Sequence, residues 1–153
     1  MLLLLAGLAA SLQAALPLVD VWRAMDLNSL DDGDAVGSWA SASNRVATGA
    51  IGLQPIFKTE VTPAGGPVVR FTNSLLTVPD SPVGGSTAFS LALVFRANKV
   101  GANDGMQWYG KTGMVDAESP GAQPDWGVVF DQSGHVGLGT GDPDVSTYST
   151  GAS

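Results

Sequence analysis

A chain of 153 residues has the length of one compact domain and can bury most of the surface it exposes when unfolded. Its formal net charge of −7 comes from 14 acids, of which only Glu60 and Glu118 are glutamates, and such a surface excludes nucleic acid and anionic lipid as partners by repulsion. The absence of cysteine excludes disulfides and thiolate metal sites, and Gly 20, Pro 9 and only 14% charged residues lean the composition towards an all-β fold.

Residues 1–15, inside the uncharged run "MLLLLAGLAASLQAALPLV", read as a signal peptide or a hydrophobic N-terminal helix. A signal peptide would make the protein secreted or cell-surface, and the same segment, left uncleaved, would be its only membrane attachment. From 18 to 153 the apolar residues come in short bursts between turn clusters, the spacing of sheets. "LVDVWRAMDL" (18–27) predicts a first strand, "DDGD" a turn, and Val36 to Trp39 a second extended piece. "GLQPIF" (52–57), "PVVRF" (67–71) and "SLLTV" (74–78) predict further strands, with "TPAGG" and "TNS" as connectors. In "TAFSLALVFRA" (87–97), Phe89, Leu91, Leu93 and Phe95 alternate with Ser90, Ala92, Val94 and Arg96, the clearest period of two in the chain. "MQWYGK" (106–111) predicts a strand pairing back on it, and "DAESPGAQPD" a long irregular stretch. "WGVVFD" (126–131) and "HVGLG" (135–139), separated by Gln132, Ser133 and Gly134, predict a hairpin. The last residues, "TGDPDVSTYSTGAS", predict no closing element. About nine or ten short strands without a fixed-period repeat point to an antiparallel β-sandwich, most simply a jelly roll.

Several of these segments, taken in order, resemble the concanavalin A-like lectin/glucanase superfamily, in particular its laminin-G-like jelly-roll domains. "VWRAMDLNSLDDGDAVGSW" is similar to their entry strand, turn and tryptophan, and "QPIFKTEVTPAGGPVVRFTNSLLTV" to a middle segment of the form P-x-[aromatic] … G-x-P-x-V-R-F … L-x-V. "TAFSLALVFRA" is similar to their central strand, and "GMVDAESPGAQPDWGVVFDQSGHVGLGTGDPDVSTYS" to a G-L-V-D-x-E … D-[aromatic]-G … G-x-G-x-G-x-P-D stretch. The likeness covers residues 19 to 149. It implies a lectin-like, carbohydrate-binding or adhesive module, or a glycan-active enzyme. The family's later Asp-Gly-x-[Trp/Phe]-His segment and Tyr-Val-Asp-Gly hairpin are not in this sequence, so the 18–153 domain reads as C-terminally incomplete.

"GMQWYGKT" (105–112) satisfies G-x-x-x-x-G-K-[ST], but a phosphate cradle needs a strand running into it and a helix leaving it. "NKVGAND" intervenes upstream and no helical period follows, so no nucleotide is expected. Paired carboxylates for glycoside hydrolysis would stand about 5 Å apart on one strand face. Asp116 and Glu118 have the alternate spacing, yet Ser119-Pro120-Gly121 makes that stretch a loop of solvated acids, and Glu60 has no acidic partner near it. His135 is the only histidine, which cripples a triad or a multi-histidine metal site. Asp142 and Asp144, two apart in "GTGDPDVS", are candidate calcium ligands, and calcium is the one cofactor the chain suggests; an Asp-Pro-Asp turn is the plainer reading of the same residues. Among the aromatics, Trp22 and Trp126 fall inside predicted strands and read as core. Trp108 and Tyr109 are adjacent, would face opposite ways in an extended segment, and are the candidate ligand-binding pair.

The reading that results is a non-catalytic extracellular binding or adhesion module for glycan or protein ligands. The alternatives are a fragment of a secreted glycan-active hydrolase and a purely structural module of a larger surface protein.

Overall fold

The computed structural model describes residues 20–84, 86, 88–99, 101, 107–117, 125–141 and 144–148. It is all-β: eight short strands among the described residues, all paired antiparallel, and two three-residue 3-10 turns. The chain divides into two compact units, Met1–Thr87 and Ala88–Ser153.

In the first unit, β1 (Ser38–Ala40) pairs with β2 (Val46–Thr48), and β3 (Ile56–Lys58) with β4 (Val68–Arg70). Isolated bridges, Ala35 to Ile56 and Thr48 to Thr77, stitch these hairpins to their flanking loops. The turn expected at "DDGD" forms: Asp34 N–H donates to the Asp31 carbonyl, Asp31 N–H to the Asp34 carboxylate, and Gly33 takes a positive φ of 98°. Leu27, Val36 and Phe57 are the buried core, with Leu30, Trp39, Val69 and Leu76 packed against it. Burying each of the larger side chains contributes about 1.5–3 kcal/mol.

The expected strand over 18–27 is not one. Its described part contains the 3-10 turn Ala24–Asp26, and side chains rather than a ladder pin it down. The Trp22 indole N–H donates to the Trp39 carbonyl, and the Trp39 indole N–H donates to the Arg23 carbonyl, each at 3.1 Å. An indole satisfied in this way replaces the backbone pairing that a strand would have supplied. Nearby, the almost completely buried Asp20 carboxylate accepts from Ser43 Oγ and Arg45 Nε.

In the second unit, β5 (Thr112–Asp116), β6 (Trp126–Phe130), β7 (Val136–Thr140) and β8 (Val145–Tyr148) form a four-stranded antiparallel sheet in that order. The β6–β7 hairpin lies where the sequence predicts it. Two expectations are corrected: the predicted strand at 106–111 holds the 3-10 turn Trp108–Gly110, with β5 starting after it, and the tail predicted without an element supplies β8 from "VSTY". β-branched residues at Val145 and Thr147 favour that strand.

Strand alternation gives this sheet two different faces. Trp126, Val128, Phe130, Val136 and Leu138 share one, while Gly127, Val129, Gly137 and Gly139 share the other. The run 87–97, expected as the clearest strand, forms none over its described residues 88–97, which touch the first face only through two rings. Phe89 meets Trp126 at one end of β6, with ring centroids 4.8 Å apart, and Phe95 meets Phe130 at the other at 6.3 Å.

Candidate functional site

The two members of the predicted ligand pair part company at the 3-10 turn. Trp108 is buried, only 2% exposed, on the glycine face of the sheet, and Tyr109 lies outside at 40% exposure with its ring edge-on to the indole at 6.0 Å. The bareness of the sheet beneath explains the seat. A Cβ on Gly139 would stand 1.8 Å from Trp108 Cγ, and one on Gly127 would stand 2.5 Å from Cζ3. Ser146 of β8 fixes the turn by accepting from the Trp108 backbone N–H at 3.1 Å and donating to Gln107 Oε1 at 2.8 Å. Among the described residues Trp108 Nε1 is buried without a hydrogen-bond partner. The indole is therefore a packing element closed to solvent, and Tyr109 is the member of the pair that a ligand could touch.

Of the two candidate calcium ligands, Asp144 is exposed in the turn before β8, and Asp142 lies outside the described residues. Among the described residues no group of three or more His, Asp or Glu side chains gathers where a metal could sit. Asp116 closes β5 with its side chain towards Gly113, and Glu118 lies outside the described residues, so the spacing of these two acids is not defined. His135 sits at the β6–β7 turn, where its Nδ1 is 3.4 Å from Asp131 Oδ2. The Asp131 carboxylate also accepts from the backbone N–H groups of His135 and Ser133. The His135 N–H above all holds the carboxyl below its ordinary range, against partial burial that would raise it, with help from the Ser133 N–H and the neighbouring imidazole.

A concave site that the sequence did not single out lies beside this turn. A groove of about 530 Å³ runs between residues 95–99 and the tip of the hairpin. Phe95, Phe130 and Val136 give it apolar walls, Ser133 and Gly134 line one side, and Arg96, Asn98 and Lys99 line the other. Gly101 ties this strip to the hairpin, donating its N–H to the Asp131 carbonyl at 2.9 Å; a Cβ there would collide with the Phe130 carbonyl oxygen. Arg96 Nη2 donates to Asn98 Oδ1 at 3.3 Å. Among the described residues neither Arg96 nor Lys99 has an acidic partner, whereas Arg23, Arg45 and Lys58 pair with Asp26, Asp20 and Asp32. Two unpaired cations on one groove are conspicuous in a chain of charge −7.

The groove continues into the apolar row of 88–97. Phe89, Leu91, Leu93 and Phe95 remain 41% to 47% exposed although two of their rings touch the sheet, and Val94 on the opposite row is fully exposed. The signal for this row, period-two alternation, is plain in the sequence; its lack of cover is not. Compared with protein-family models, with curated proteins and with solved structures, the chain matches none.

Proposed function

We propose that this chain is a non-catalytic binding or adhesion module acting at the cell exterior, built as an antiparallel sandwich of the jelly-roll, concanavalin A-like type. The single observation that carries the reading is the joined surface of the exposed row Phe89–Leu91–Leu93–Phe95 and the groove at its end. Contiguous exposed apolar surface of this kind, rimmed by polar and charged groups, is how soluble proteins meet partners. The ring contacts of Phe89 and Phe95 with Trp126 and Phe130 support the sandwich, because they begin a second layer over one face of the sheet.

Glycan and peptide arrays probed with the labelled protein, with and without Ca²⁺, test this reading. Binding by wild type that is lost in Phe95→Ser, with an unchanged far-ultraviolet circular dichroism spectrum, is the expected result. Absence of binding on both arrays under both conditions would remove the reading. Loss of binding without Ca²⁺ would bring Asp142 and Asp144 into the site.

A further inference from the structure

We infer that residues 88–97 are an open docking strand for an extended, carboxylate-bearing peptide, which adds to them backbone to backbone and sets its acid against Arg96 and Lys99. The inference rests on the binding-module reading and names the chemistry of the partner.

The first argument is the backbone. No main-chain N–H or C=O of residues 88–97 takes part in a hydrogen bond among the described residues, although the rings of Phe89 and Phe95 meet the two ends of β6. Unpaired main chain over such a length invites another strand, and strand addition supplies the missing donors and acceptors. A saccharide has no matching ladder of amide groups to offer.

The second argument is preorganisation. The inward row is already seated, with Phe89 on Trp126 and Phe95 on Phe130, so ordering the run costs a partner little. The outward row over 90–94 is Ser90, Ala92 and Val94, with neither proline nor charge to block an approaching chain.

The third argument is charge. Among the described residues Arg96 and Lys99 stand without an acid where the run enters the groove, so a carboxylate is the group that completes them. A second copy of this chain suits the site less well. Antiparallel pairing of two copies centred on Ala92 would set Arg96 opposite Ala88 and leave both cations unmatched, while bringing together two chains of net charge −7.

Fluorescence anisotropy with the full 153-residue chain and a synthetic ten-residue peptide of alternating Thr and Val tests the inference. Glu at the second peptide position lies opposite Arg96 in antiparallel pairing. The Glu peptide should bind about tenfold more tightly than its Gln counterpart, and more tightly again than its Lys counterpart. One of the two alternate backbone N-methylation patterns should abolish binding, because it removes the donors on the paired edge. The double variant Arg96→Gln/Lys99→Gln should still bind, with the Glu and Gln peptides now equal. Equal affinity of the two peptides for wild type, or tolerance of both N-methylation patterns, would overturn the inference. A dimer in sedimentation velocity that Val94→Lys splits would assign the strand to a second copy and overturn it too. Binding of a uronic-acid oligosaccharide but of no peptide would sink the strand and leave the binding module standing, and failure of all these probes would sink the strand, the binding module falling only if both arrays are also blank.

Discussion

Replacing Gly139 by alanine adds one methyl group to the middle of β7, at the place where the structure has least room for it. The new carbon would lie 1.8 Å from Trp108 Cγ, 2.1 Å from Cδ1 and 2.3 Å from Cβ. These atoms are the root of the indole, not the far end of a flexible chain, and the Trp108 N–H is tied to Ser146. β7 cannot yield either, because β6 and β8 hold it on both sides. Overpacking a filled interior costs about 1–3 kcal/mol, and a contact this short belongs at the upper end, about 3 kcal/mol. Urea unfolding followed by circular dichroism should show that loss as a lower midpoint with an unchanged slope. The same substitution in a Trp108→Gly background should be nearly neutral, because Cβ, Cγ and Cδ1 are then all gone and alanine suits a strand better than glycine by about 0.5–1 kcal/mol. The coupling between the two sites should therefore be about 2–3 kcal/mol, within the range of contacting residues. Equal costs of Gly139→Ala in the two backgrounds would refute the placement of Trp108 on this face.

Trp108→Phe should lie within about 1 kcal/mol of wild type in the same assay, since the lost volume is offset by removing a buried indole N–H whose desolvation costs about 1–3 kcal/mol. Arg45→Gln should destabilise by about 1–3 kcal/mol in thermal unfolding, because it leaves the buried Asp20 carboxylate short of its charged donor. Asp20 also predicts an acid limb: burial alone would raise its pKa, but hydrogen bonds from Ser41, Ser43 and Arg45, with the Arg45 charge, hold it below the ordinary 3.8. A carboxyl whose folded pKa is depressed stabilises above its unfolded value and loses that contribution as pH falls through the folded one. The stability difference between wild type and Asp20→Asn should thus be constant at neutral pH and shrink below pH 3.8, as read from urea titrations at each pH.

The parts of the fold that could be read in advance are those whose signals are local. The β6–β7 hairpin announces itself through two apolar runs around Gln132–Ser133–Gly134, and β3 and β4 through "PIF" and "VVR". Alternation in 87–97 marks an apolar row but cannot name a ladder partner, which is a nonlocal matter, and its described residues 88–97 form no strand. At 106–111 the aromatic residues mimic a strand, and tertiary packing overrides them by drawing Trp108 under the sheet. The one advance signal for that burial is glycine at 127, 137 and 139, alternate positions of a predicted hairpin, which marks a strand face that something broad must cover. The groove was not legible, because Arg96 and Lys99 meet Ser133 and Gly134 only once residues 95–99 lie against the turn.

The seat of Trp108 also bears on the order in which the second unit assembles. β6, β7 and β8 follow one another through short turns, so their pairing closes small loops and needs little search. The indole, in contrast, is held by Ser146, 38 positions further along, and its trough exists only after Gly127 and Gly139 have come side by side. This order predicts docking after the folding barrier, so that in stopped-flow urea jumps Trp108→Phe should change the unfolding rate far more than the folding rate, and a change confined to the folding rate would refute it. Trp108 thereby sets how long the sheet stays closed once formed, a lifetime rather than a speed of formation.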